Sequence, residues 1–147
     1  MHTHLLTGML LLTLPALAAD KMQRLNVKTG LWETTRTMHV QSSMGSRSHT
    51  ETDKDCVTEE DLEKGNSFSE RSQQECRQLI VRSTATELEI HMVCEAPEGK
   101  GEGTVRIQVL SPESTKGSAE THGTIQGQPM STSSTFTSKW ISSSCRK

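Results

Sequence analysis

Histidine and methionine crowd the stretch from Met38 to His49 (MHVQSSMGSRSH). Imidazole with thioether is a donor set that soft copper favours. If the chain reverses through a five-residue loop, Ser42 to Ser46, His39 comes to lie opposite His49 on an antiparallel partner, with Met38 and Met44 close by. These four residues form the candidate metal set. The set depends on register, because a slip of one residue sends the two imidazoles to opposite faces. An ordinary exposed cross-strand pair is the alternative reading.

Other residue types capable of chemistry lack the surroundings that chemistry needs. No serine sits in a G-x-S-x-G elbow, where a strand-to-helix turn would present its hydroxyl. His39, His49, His91 and His122 have no triad context. Glu59, Glu60 and Asp61 cluster where a helix start explains them, since carboxylates favour the positive end of the helix dipole. Phosphate-cradling loops lead from a strand into a helix. Gly99-Lys100-Gly101-Glu102-Gly103 instead leads into the alternating run Val105, Ile107, Val109, so it reads as a flexible turn or bulge. The chain is therefore expected to be non-enzymatic and to need no cofactor.

The four cysteines contain no C-x-x-C, which argues for structural bridges over a redox or zinc motif. Cys76 to Cys94 (CRQLIVRSTATELEIHMVC) reads as two alternating arms around Ser83-Thr84-Ala85-Thr86. Folding it about Ala85 sets Cys76 opposite Cys94, Gln78 opposite Met92, Ile80 opposite Ile90 and Arg82 opposite Leu88. Directly opposed residues have Cβ atoms about 4.5–5.5 Å apart, close to what a disulfide accepts. A Cys76–Cys94 bridge leaves Cys56 to pair with Cys145.

An even number of cysteines suits an oxidising compartment. The amino terminus agrees, since Leu5 to Leu17 is apolar and closes on Ala16-Leu17-Ala18-Ala19, a small-residue cleavage site. That run is shorter than the roughly 20 residues of a membrane span. Residues 1–18 are read as a signal peptide and 19–147 as one mature domain, placed in the periplasm with no stable membrane span after cleavage. Hydrophobic residues make up only 31% of the chain, a thin supply of core that two disulfides would supplement. The net charge of −2 and scattered basic residues exclude the concentrated basic face that nucleic acid requires.

The elements that must position these residues are short strands. Asp20 to Lys28 reads as a mobile polar lead. Strands are expected from about Leu31 to Gln41, Arg47 to Val57, along both arms of the Cys76–Cys94 hairpin, around Val105 to Val109, and from about Thr115 to Ile125 and Pro129 to Ile141. The second is so polar that it suits a sheet edge. Thr58 begins the one helix, which Gly65 ends, and Asn66 to Glu75 is a charged loop. The expected fold is a mainly β antiparallel meander of about seven strands, a curled sheet or incomplete barrel. Trp32, Phe136 and Trp140 serve either as core joining the first strand to the last or as walls of a small apolar pocket.

Thr29-Gly30-Leu31-Trp32-Glu33, the segment Cys56 to Leu62, the Cys76 and Cys94 pair, the glycines before Val105, and Trp140 followed by Cys145 recur in a familiar order and spacing. The chain resembles domain-of-unknown-function family 3617, small exported proteins of Gram-negative bacteria. That resemblance implies an exported β-rich domain and supplies no activity. Relatives often carry a Met- and Pro-rich first hairpin, of which only Met38 and Met44 are present here. The function expected is binding of an envelope protein partner or a small apolar ligand, with copper handling through the first hairpin as the alternative.

Overall fold

A computed structural model of the chain describes residues 22–64 and 76–146. The expected signal peptide and the loop Asn66 to Glu75 lie outside the described residues. Seven strands appear: β1 (Gly30–Ser42), β2 (Gly45–Val57), β3 (Cys76–Ser83), β4 (Glu87–Ala96), β5 (Gly99–Ser111), β6 (Ser114–Ile125) and β7 (Gln128–Ser142). They build one antiparallel sheet in the order β2-β1-β7-β6-β5-β4-β3. Strands β3 to β7 are successive hairpins, and β1 closes against β7, so the first strand does meet the last. The sheet stays open, with β2 and β3 at its edges. Polar β2 takes the edge its composition suits.

The helix α1 (Glu59–Lys64) starts where its cap dictates. The Asp61 amide donates to Thr58 Oγ1 (3.2 Å), and the Thr58 amide donates to Asp61 Oδ2 (2.8 Å). This reciprocal pair satisfies two N–H groups that an unfinished helix leaves free.

Alternation separates the residues by face. Leu88, Ile90, Val105 and Ile107 form a buried cluster, with Met92, Ala119 and Phe136 packed against it. Phe136 sits opposite Gly117, and its ring occupies the space a Cβ there would need. Thr35, Thr37, Thr104, Ser133 and Thr135 lie on the other face, with most of the charges. Both bridges form as the sequence leads one to expect, Cys76–Cys94 and Cys56–Cys145.

Two expectations need correction here. The lead before β1 is not mobile over its described part. Met22 and Leu25 pack on the core cluster, and the Asn26 and Lys28 amides donate to the Ala85 and Pro112 carbonyls (2.7 and 2.9 Å). Each indole holds it as well, Trp32 Nε1 donating to Lys28 O (2.9 Å) and Trp140 Nε1 to Thr29 O (3.0 Å). Gly30 then turns the lead into β1 at a φ of 127°, where a Cβ would strike Ser142 O. The lead covers apolar surface that the sheet cannot cover with itself.

The second correction concerns the hairpin β3–β4. Its open end pairs as expected, but a bulge after Ile80 sets Arg82 opposite Glu89 and Ser83 opposite Leu88. The turn is the cause. Thr84 N–H donates to Glu87 O (2.8 Å) and Thr84 Oγ1 accepts from Glu87 N–H (2.9 Å), closing the loop asymmetrically about Ala85. The bulge absorbs the odd residue and keeps Leu88 on the buried side with Ile90.

Candidate functional site

The first hairpin does not assemble the candidate metal set. Ser42 pairs with Gly45, so only Ser43 and Met44 form the turn, and Gly45 supplies a φ of 115°. This two-residue turn replaces the five-residue loop and shifts the register by one. His39 therefore faces Ser48, and His49 faces Met38 on the opposite side of the ribbon. His39 Nδ1 lies 3.0 Å from Ser48 Oγ, while His49 Nε2 lies 3.8 Å from a Glu51 carboxylate oxygen. Met44 sits at the turn, 92% exposed. Among the described residues no group of three or more His, Cys, Asp or Glu is placed to hold a metal ion.

The polar face carries two further clusters of titratable side chains. Glu102 stands between His91 and His122, one carboxylate oxygen 3.8 Å from His91 Nε2 and the other 3.6 Å from His122 Nε2. Glu33 receives the Lys139 ammonium at 2.9 Å and Lys54 at 3.5 Å. The Lys139 hydrogen bond, reinforced by both positive charges, holds the Glu33 carboxyl below its ordinary range. A hollow of about 600 Å³ on this face, with His39, Ser48, Glu120, His122 and Ser133 among its lining, is bordered by hydroxyls and charges that water solvates well.

The apolar face offers a different hollow. A trough of about 270 Å³ runs over β5 and β6 beyond the part of the core that Met22 and Leu25 cover. Its floor is Gly99, Gly101 and Gly103 of β5 beside Gly123 of β6. Met92, Cys94 and Ala96 of β4 wall one side, and Ile125 and Met130 the other. Register explains the arrangement. Cys94, Gly101, Gly123 and Met130 are successive partners across four strands, as are Met92, Gly103, Thr121 and Thr132. Every second residue of β5 from Gly99 to Gly103 thus projects no side chain toward the apolar face.

The glycines also shape the sheet. A Cβ on Gly123 would lie 2.2 Å from Lys100 O, and one on Gly103 would lie 2.6 Å from Glu120 O. Regular pleating leaves room for a Cβ at every position. Contacts this short mean that β5 and β6 close toward the apolar face, deepening the trough. Gly101 differs, since its Cβ would meet nothing nearer than His122 O at 3.2 Å.

Trp32, Phe136 and Trp140 lie outside this hollow. Trp32 and Trp140 are directly opposed on β1 and β7, and Trp32 is only 4% exposed. Lys28 Nζ rests 4.6 Å over the Trp140 ring and pairs with Glu113. Sequence reasoning read Gly99, Gly101 and Gly103 as a turn or bulge and so missed them, while Gly123 fell in the strand expected there. The available signal was their spacing of two, the period of a strand.

No helix of the described residues is long and apolar enough to cross a membrane. No curated protein and no solved structure matches the chain. The family model described as "Protein of unknown function (DUF3617)" matches residues 27–145, from the lead across every strand to the last cysteine, and the chain belongs to that family.

Proposed function

We propose that this is a non-enzymatic exported domain that binds a small apolar ligand in the trough over β5 and β6. The observation that carries the reading is an apolar hollow, walled by Met92, Ile125 and Met130, in a chain with little apolar surface to spare. An exposed apolar concavity is the informative departure from a well-covered core. Methionine walls suit it, because the unbranched thioether adapts to different occupants. At about 270 Å³ the trough is just below the roughly 300–1,000 Å³ of drug-sized sites, so the ligand is small or only partly enclosed. Export to the periplasm is supported by the two disulfides and by the apolar run closing on Ala16 to Ala19. The copper alternative needed His39 and His49 on one face, and the register sets them on opposite faces.

The test is fluorescence of N-phenyl-1-naphthylamine, which brightens on leaving water. Wild-type protein should enhance it saturably, and Met130→Asp should abolish the enhancement without changing the circular dichroism spectrum. Leu79→Asp is the control, since Leu79 is also an exposed apolar residue (63%) but lies on the opposite face. Equal loss in both variants, or no enhancement by the wild type, would defeat the proposal.

A further inference from the structure

We infer that β2 is a dimerisation strand, pairing antiparallel with β2 of a second copy about a two-fold axis at Thr50. An edge strand presents a row of unpaired N–H and C=O groups with which another extended chain can pair. The sheet has two such edges, and they differ. β3 is 8 residues long, and the bulge after Ile80 breaks its row of edge groups. β2 runs 13 residues against β1 in one unbroken register. It contains neither the proline nor the bulge that commonly blunts an edge. Every residue from Gly45 to Cys56 is exposed, save half-buried Glu51.

Charge selects the occupant. Arg47, His49, Glu51 and Asp53 share one face of β2, two basic residue types followed by two acidic ones. That order becomes its own complement when the strand is reversed. With Thr50 on the axis, Arg47 meets Asp53 of the second copy and His49 meets its Glu51, each pair occurring twice by symmetry. The opposite face sets Ser48 against Thr52, Thr50 against Thr50 and Ser46 against Lys54. Opposed charges and facing hydroxyls are cross-strand pairs that stabilise antiparallel strands. Neighbouring registers lack the match. An axis at Glu51 sets Glu51 against itself, one at Thr52 sets Glu51 against Asp53, and one at His49 leaves Asp53 facing Gly45. Among the described residues, Arg47 and Asp53 have no ion pair within their own chain, so the second copy supplies what each lacks. Pairing from Gly45 to Asp55 forms about ten backbone hydrogen bonds in the alternating antiparallel pattern. Because the axis is perpendicular to the sheet, the two sheets become one, with both troughs on the same face.

The experiment is sedimentation equilibrium of the purified protein. Wild type should reach a dimer at submillimolar concentration and go no further, because a two-fold contact uses both β2 edges. Asp53→Arg and Arg47→Asp should each weaken association at least about tenfold, since each replaces two attractive pairs with two like-charge pairs. Both positions are exposed, so the circular dichroism spectrum should not change. Mixing the two variants should restore the dimer, because every arginine then faces an aspartate again. Leu79→Lys, on the other edge strand, should associate like wild type. A monomeric wild type at submillimolar concentration, species larger than the dimer, unimpaired association of either charge variant, or no recovery on mixing would overturn the inference. Loss of the dimer in Leu79→Lys would overturn it too, by assigning the contact to β3.

Discussion

Removing the Cys56–Cys145 bridge should destabilise this domain more than removing Cys76–Cys94. The first closes 89 residues and the second 18. In the chain-entropy account, a cross-link restricts the unfolded chain in proportion to the logarithm of the loop it closes, which gives about 4.6 and about 3.2 kcal/mol. The difference of about 1.4 kcal/mol corresponds to about 4–6 °C in Tm for a domain of this size. Position adds to the contrast. Cys76 and Cys94 face each other on strands already joined by a ladder, whereas Cys56–Cys145 ties the end of edge strand β2 to the tail beyond β7. The comparison requires the paired variants Cys56→Ala/Cys145→Ala and Cys76→Ala/Cys94→Ala, so that no lone thiol exchanges with the surviving bridge. Calorimetry without reductant gives the two Tm values, and non-reducing peptide mapping confirms the remaining disulfide. Hydrogen exchange adds a local readout, because loss of Cys76–Cys94 should first release the amides of β3. Equal melting points, or a lower one for the Cys76/Cys94 pair, would refute the loop-length reasoning.

Three further outcomes are expected. Trp140→Phe keeps an aromatic ring but deletes the indole donor to Thr29 and weakens the Lys28 contact, so urea titration should show a loss of about 1–2 kcal/mol with faster exchange in residues 22–29. Ile90→Ala empties a site only 4% exposed and should cost about 2–5 kcal/mol, whereas Leu79→Ala on the polar face should change stability by less than about 0.5 kcal/mol. Glu33 contributes pH-dependent stability of definite sign. Its lowered carboxyl pKa means that the ionised form is favoured by folding, so the contribution is present at neutral pH and lost as pH falls through the carboxylate range and past the lowered value. Melting curves of wild type and Glu33→Gln should therefore differ at pH 7 and converge in strong acid.

The parts of the fold that were legible in the sequence are those fixed by composition and alternation. The even-numbered run Met130, Phe136, Trp140 placed β7, the polarity of β2 placed an edge, and the mirror symmetry of Cys76 to Cys94 gave a disulfide and most of a register. What failed was decided by turns. Ser43-Met44 carries little of the usual two-residue hairpin chemistry, because the residue needing positive φ, Gly45, follows the turn. A five-residue loop looked equally acceptable, and the one-residue difference moved His39 and His49 apart. The lead was misread for another reason. Its packing depends on Met22 and Leu25 meeting surface contributed by β4 and β5, a long-range contact that no local pattern announces. The glycine run was misread because glycine weakens a strand by propensity, and here the closing of β5 on β6 outweighs that preference.

The thin core and the open trough follow from one arrangement. A sheet stabilised only by burial has to cover its apolar face, since each exposed large side chain gives up roughly 1.5–3 kcal/mol. Here the lead covers the half of the face around Leu88, Ile90, Val105 and Ile107, held there by the two indoles and by Ala85 and Pro112. The other half, from Met92 to Met130, has its side chains thinned to glycine along the floor. That leaves less apolar area in need of cover. Of the two disulfides, Cys76–Cys94 lies along one wall of this region, whereas Cys56–Cys145 ties β2 to the tail at the far end of β1 and β7. Constraint on the unfolded chain therefore supplements a core that glycine leaves thin. Filling the trough with side chains should raise stability and remove binding together, which couples the economy of the core to the function proposed for it.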